Sequence, residues 1–309
     1  MSDKSKIQWT DASWQPVVGC TKVSPGCKNC YAERMACRLA AMACSPKKTY
    51  AQLAKLPESS KAYCNVVKWY FDPKTEKTYR EGWNGETVCI ESALDKPLHW
   101  MKPRRIFVCS MGDLFHESVP FEFIDKVMAV IALCRQHTFQ VLTKRPERMA
   151  GYFNSRKPSV NGGNVLVEEE YLRRFKTRSH KAVFPYLNLW LGTTCENQEM
   201  WNERWRYVSA MPGAIKYVSH EPLLSQIEPV GDMLPDWAII GCESLGKRAG
   251  RFQDGFVEAA IKLASFYKSL YVPVFVKQVS INGKVSKNMS EWPKELQVRE
   301  YPKASPERR

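Results

Sequence analysis

LWLGTTCENQEMWNERWRYVSAMPGAIKYVSH, residues 189–220, holds two apolar runs joined by a segment of helical pattern. LWLGTT (189–194) and IKYVSH (215–220) are nearly continuous in apolar residues, as suits strands buried on both faces of a parallel sheet. MWNERWRYVSAM between them predicts a helix. A strand–helix–strand unit of this kind is the building block of an α/β fold, in which helices cover a parallel sheet.

The pattern recurs in both directions. WQPVVGC (14–20), RIFVCS (105–110) and FQVLT (139–143) precede it, and WAIIGC (237–242) and VPVFVK (272–277) follow. CYAERMACRLAAMA, FEFIDKVMAVIALCRQ and DGFVEAAIKLASFYKSLY add further helical segments. Six or seven such units predict a full or partial parallel (β/α) barrel in one domain over residues 1–309. In a parallel barrel all C-terminal strand ends share one rim, where active sites are built. The residues expected there are Ser110 and Asp113, Thr143-Lys144-Arg145, Thr193-Thr194 with Glu196, His220-Glu221, Glu243-Ser244 and Lys277-Gln278.

Two basic insertions interrupt the alternation, at about 45–92 and 153–187. The first predicts a hairpin or small subdomain around Asp72-Pro73 and Asn84-Gly85. The second carries a loop at Asn161–Asn164, and both are candidate lids or substrate-contacting arms. The tail KASPERR is expected to be disordered.

Lysine and arginine number 46 against 32 acidic residues, a formal charge of +14, which points to a polyanionic partner. Basic clusters occur in HWMKPRRIF, TKRPERM, YLRRFKTRSHK and GKRAGR, with aromatic residues among or beside them. No basic zinc-finger, homeodomain or leucine-zipper pattern is present, so contact with nucleic acid would come from a surface or cleft. The opening MSDKSKIQWTDASW lacks an apolar signal region, and there is no run of about 18 apolar residues. A cytoplasmic protein without membrane contact is expected. Its eleven cysteines are then expected as thiols rather than a disulfide framework.

Three of them are clustered. In GCTKVSPGCKNCYAERMA (19–36), Cys20, Cys27 and Cys30 stand as C-x6-C-x2-C. A structural zinc site takes four ligands, usually as two close pairs. Here Cys37, inside a helical segment, is the nearest fourth candidate, and the five histidines form no H-x3-5-H element. A cubane iron–sulfur cluster takes one thiolate per iron, so three leave one iron open to a small molecule. Enzymes that use S-adenosylmethionine for radical chemistry need that arrangement.

The chain resembles a non-standard radical S-adenosylmethionine family of phage proteins. The resemblance lies in IQWTDASWQPVVGCTKVSPGCKNCYAERMA, KPLHWMKPRRIFVCSMGDLFHESVP, FQVLTKRPERM, LWLGTTCENQ, YVSHEPLL, WAIIGCES and PVFVKQ, in family order. Two departures stand out. The first cysteine spacing is six, with Asn29 where the common pattern has an aromatic and Tyr31 just after Cys30. The usual G-G-E-S segment is Gly241-Cys242-Glu243-Ser244.

The resemblance implies a [4Fe-4S] cluster on Cys20, Cys27 and Cys30, S-adenosylmethionine as cofactor, and a 5′-deoxyadenosyl radical. Tyr31 is the candidate for the adenine contact, and Thr193 and Glu196 for the ribose hydroxyls. Asp113 or Glu243 is expected at the methionine amino group, and Lys144 or Arg145 at its carboxylate. His220 is a candidate substrate contact and Cys242 a candidate radical relay or hydrogen donor. The family's association with hypermodified phage DNA implies an isomerase acting on an amino-acid-substituted thymine, such as a glycyl adduct. A host flavodoxin or ferredoxin is the implied electron donor. RNA or a peptide is the alternative substrate. A zinc-stabilised, non-catalytic nucleic-acid-binding protein is the alternative of another class.

Overall fold

A computed structural model describes residues 5–44, 49–75, 77–156, 186–211, 215–231 and 233–303. The expected second insertion and the C-terminal tail fall largely outside the described residues.

The chain opens with β1 (Ala12–Trp14) and the short β2 (Val17–Val18), and the cysteine loop leads into α1 (Tyr31–Ala43). Then come α2 (Tyr50–Ala54), α3 (Glu58–Asn65), the hairpin β3 (Val67–Asp72) and β4 (Lys77–Trp83), and β5 (Val88–Cys89). The regular alternation follows: β6 (Arg105–Val108), α4 (Phe121–Leu133), β7 (Thr138–Thr143), α5 (Pro146–Ser155), β8 (Leu189–Thr194), α6 (Gln198–Ala210) and β9 (Ile215–His220). It ends with β10 (Trp237–Gly241), β11 (Ser244–Leu245), β12 (Arg248–Ala249), α7 (Phe256–Ser269), β13 (Val274–Ile281) and β14 (Lys284–Ser286).

Seven strands lie side by side in the order β1-β6-β7-β8-β9-β10-β13, and every neighbouring pair among them is parallel. β14, β12 and β11 extend the sheet antiparallel beyond β13, giving ten strands among the described residues. The sheet is curled into a half-barrel. Trp9 touches Phe107 of β6 at 4.7 Å and Trp237 of β10 at 6.2 Å between ring centroids. In a flat sheet those strands would stand roughly 19 Å apart. Tyr301 likewise bridges Phe275 of β13, at 5.4 Å, and the Arg105 guanidinium at the start of β6, at 4.0 Å.

Alternation along each strand builds two layers. Val108, Val141, Leu191, Val218, Ile240 and Val276 join the outer core with residues of α4, α6 and α7. Phe107, Tyr217, Trp237, Ile239 and Phe275 pack with Trp9 inside the curl. Gly192 makes room there, since a Cβ at that position would stand 2.6 Å from the Tyr217 ring.

The expected strand at 14–20 breaks in two. Pro16 has no N–H to continue a ladder, and β2 leaves the main sheet to pair antiparallel with β5. Helix α5, which the apolar pattern does not announce, starts with Pro146 in its first turn.

The first insertion contains the expected hairpin, turning after Asp72. Its root packs with α1 and α3 in a small separate core of Ala32, Ala36, Ala40, Ala62, Tyr63, Val66, Val67 and Trp83. Where α1 ends beside α3, Cys44 and Cys64 form a disulfide with Cα atoms 6.2 Å apart. It is a single crosslink, and the other nine cysteines are free. Among the described residues, no helix is long and apolar enough to cross a membrane.

Candidate active site

The C-terminal ends of the parallel strands open onto a cavity of about 210 Å³. Cys20, Cys27 and Cys30 all line it, together with Tyr31, Asp113, Lys144, Arg145, Cys242 and Glu243. Nine of the twelve residues expected at the site therefore meet in one place. Thr193, Glu196 and His220 do not line it. Alternation accounts for the two strand residues: on β8 it is Thr194 that faces the cavity, and on β9 Ser219, followed by Glu221 beyond the strand.

Those three side chains have other partners. Thr193 Oγ1 donates to the Thr143 carbonyl at 2.8 Å. His220 is fully buried between Trp201 and Tyr267, with Nδ1 2.8 Å from the Cys195 carbonyl and Nε2 2.9 Å from the Tyr267 hydroxyl. Burial pushes its pKa down to about 4, so the ring is neutral at pH 7.

Glu196 reaches the cysteine loop from behind. Its Oε1 accepts the Gly26 N–H at 2.8 Å and its Oε2 accepts from Arg204 at 3.1 Å. Gly26 permits this approach, because a Cβ there would lie 2.8 Å from Glu196 Oε1. Burial opposes ionisation of Glu196, but the Lys144 and Arg204 charges outweigh it and hold the carboxyl below its usual range.

Two arginines brace the same loop through further ion pairs. Arg251 grips Glu243 at 2.5 and 3.1 Å and also donates to the Pro25 carbonyl at 2.9 Å. Arg145 donates from Nε to both Glu117 oxygens at 2.7 and 2.8 Å, and from Nη1 to Asp113 at 3.2 Å. It also reaches Thr21 Oγ1 at 2.5 Å and Cys20 Sγ at 3.5 Å. Asp113 is equally committed, accepting from Thr143 Oγ1 and from the amides of Phe115 and Lys144. A planar fork of five donors suits Arg145 to this position as no lysine would.

Of the cationic groups on the cavity wall, one is less tied. Lys144 acts on Cys27 and Glu196 as a charge and donates to no side chain among the described residues. Lys277 and Glu221 form a close ion pair, both less than one-fifth exposed. Cys242 lies beside that pair; burial and the Glu221 carboxylate push its thiol up to about 12, so it stays protonated.

The cysteine loop itself is electrostatically uneven. Burial, with the Asp113 carboxylate adding, raises Cys20 to about 12. Burial opposes ionisation of Cys27 too, but Lys144 and the amides of Val23 and Ser24 outweigh it and bring that thiol below its ordinary value. Tyr31, first in α1, donates its hydroxyl to the Ser110 carbonyl at 2.8 Å.

Arg251, Arg204, Glu117, Thr21 and His116 are the site residues that sequence reasoning missed. His116 Nε2 lies 3.0 Å from Thr21 Oγ1 and its Nδ1 2.8 Å from Ser118 Oγ. GKRAGR marks Arg251, and HES marks His116 and Glu117, only as charged loop segments, while Arg204 lies within α6 and Thr21 is an uncharged residue of the cysteine loop. Among the described residues, no three His, Cys, Asp or Glu side chains gather closely enough for a single metal ion. Three sulfurs around one cavity do fit, as a donor set, a group with several metal atoms, each sulfur taking its own.

No curated protein and no solved structure matches the chain. One family model does, over residues 4–303, and it is described as "Protein of unknown function (DUF5131)". Since that match spans nearly the whole chain, the protein belongs to the DUF5131 family.

Proposed function

We propose that this protein is a radical S-adenosylmethionine enzyme acting on a nucleic-acid base, its half-barrel a partial barrel of the radical type. The observation that carries the reading is the meeting of Cys20, Cys27 and Cys30 at one cavity on the C-terminal rim of a parallel sheet. They would hold a [4Fe-4S] cluster, which with S-adenosylmethionine bound supplies the one-electron cleavage that makes a 5′-deoxyadenosyl radical.

The protein's own groups have separable tasks. Glu196, Arg145 and the Glu243–Arg251 pair hold the cysteine loop still. Lys144 is the available partner for the methionine carboxylate. The Glu221–Lys277 pair offers a carboxylate and an ammonium, which match the two ends of an amino-acid group. Cys242 keeps an S–H bond beside them. That set favours a base carrying an amino-acid substituent, and a net charge of +14 favours a nucleic acid as its carrier. Phage DNA with glycyl-substituted thymine is the proposed substrate, and intramolecular migration of the glycyl attachment from nitrogen to carbon the proposed change. Such an isomerisation leaves the substrate's atoms and electrons in balance. The target base would leave the duplex stack to enter the cavity. A host flavodoxin or ferredoxin in the cytoplasm would supply the electron.

The test is anaerobic reconstitution with iron and sulfide, followed by incubation with S-adenosylmethionine, dithionite and such DNA, and mass analysis of its nucleosides. A nucleoside of unchanged mass but altered chromatographic and fragmentation behaviour is expected. Zinc binding with no change to DNA would favour a non-catalytic binding protein, and conversion of RNA or peptide alone would move the substrate.

A further inference from the structure

The β3–β4 ribbon carries a surface that the cavity chemistry does not use. Both of its faces are open: Trp69 is 38%, Tyr70 52%, Phe71 58% and Tyr79 44% exposed. The register sets Tyr70 opposite Tyr79 on one face, and Trp69 opposite Arg80 on the other, with Phe71 next along. The Arg80 guanidinium lies 4.8 Å over the Trp69 ring. A two-stranded ribbon is marginally stable alone, and large apolar side chains exposed together mark an interaction site.

Charge indicates the kind of partner. Among the described residues of the ribbon, Lys68, Lys74 and Lys77 are exposed among the aromatic residues, against one exposed carboxylate, that of Glu81. The Asp72 carboxylate is occupied within the turn, accepting from the Lys74 amide at 2.9 Å and Thr75 Oγ1 at 2.8 Å. The ribbon is also rooted at the cavity. Trp83 lines it, and the amides of Trp83 and Gly82 donate to Glu33 and Cys37 of α1, the helix that begins just after Cys30.

We propose that this ribbon is a binding arm for single-stranded or locally unpaired nucleic acid, its aromatic rings stacking on bases and its cations meeting phosphates. The proposal rests on the reading that the cavity takes a nucleic-acid base. An aromatic face accepts any base, but only one whose own face is free, so the arm prefers unpaired strands to intact duplex.

The experiment measures binding of the full chain to a fluorescent 12-nucleotide single strand and to the matching duplex, by anisotropy at several salt concentrations. The single strand is expected to bind more tightly. Tyr70→Ala and Phe71→Ala are each expected to weaken single-strand binding by about tenfold. Lys77→Gln is expected to flatten the salt dependence by about one unit. Tyr271→Ala, an exposed aromatic on another part of the surface, is the control and should bind as the unaltered chain does. Wild-type affinity in a Tyr70→Ala/Phe71→Ala double variant that melts like wild type would overturn the proposal. So would tighter binding to duplex, or a concentration-dependent dimer that the double variant abolishes. The 5′-deoxyadenosine assay separates the two readings. Radical chemistry with binding independent of the aromatics sinks the arm alone, whereas aromatic-dependent binding without that chemistry sinks the radical reading alone.

Discussion

Glu196 and Gly26, 170 residues apart in sequence, meet at 2.8 Å through a carboxylate and a backbone N–H. The contact ties the loop after β8 to the middle of the cysteine loop, between Cys20 and Cys27. Since Glu196 is also paired with Arg204 in full burial, removing it leaves a buried cation without its partner. Glu196→Ala is expected to cost about 3–5 kcal/mol, read as a lower urea midpoint. Iron bound after reconstitution should fall further than in a variant of equal stability elsewhere in the core. Equal iron content in both would separate the loop from Glu196.

Arg145→Lys is expected to lower stability by about 3 kcal/mol, because one ammonium cannot serve Glu117, Asp113 and Thr21 together. The measurement is chemical unfolding. A loss within experimental error of zero would show that the network contributes little.

Gly192→Ala places a methyl group against the Tyr217 ring inside the curl. Overpacking of this kind costs about 1–3 kcal/mol. Tyr217→Leu in the same chain should recover part of the loss, and a double variant no better than the single would contradict the packing assigned here.

His220 gives a pH dependence with a definite sign. Its folded pKa is about 4 against an ordinary 6.5, so between those values the unfolded chain binds the extra proton. Stability from this group is complete above pH 6.5 and is lost as pH falls towards 4, by roughly 3 kcal/mol. His220→Gln should flatten that part of the stability–pH curve, and an unchanged slope would contradict it.

Much of the architecture is legible in the sequence, for physical reasons. Strands such as WAIIG, fully buried in a parallel sheet, announce themselves as unbroken apolar runs. The hairpin turning after Asp72 is equally plain. What the runs do not reveal is which alternate residues face inward. Thr193 and Thr194 are equivalent in sequence, and only register and curl send Thr194 to the cavity. Pro16 divides a run that looks continuous. The braces on the cysteine loop are less legible still. Arg251 with Pro25, and Glu196 with Gly26, are pairings created by the closing of the sheet. Asp113 and Arg145 look like free ligand-binding groups in sequence, but in the fold they saturate one another and their neighbours.

The account stands most directly on one assay. Protein reconstituted with iron and sulfide without oxygen is reduced with dithionite in the presence of S-adenosylmethionine, and 5′-deoxyadenosine is quantified beside a Cys27→Ala variant. Release by the unaltered chain, with about four irons per chain, and none by the variant is the predicted result. A colourless protein that makes no 5′-deoxyadenosine after full reconstitution would contradict it.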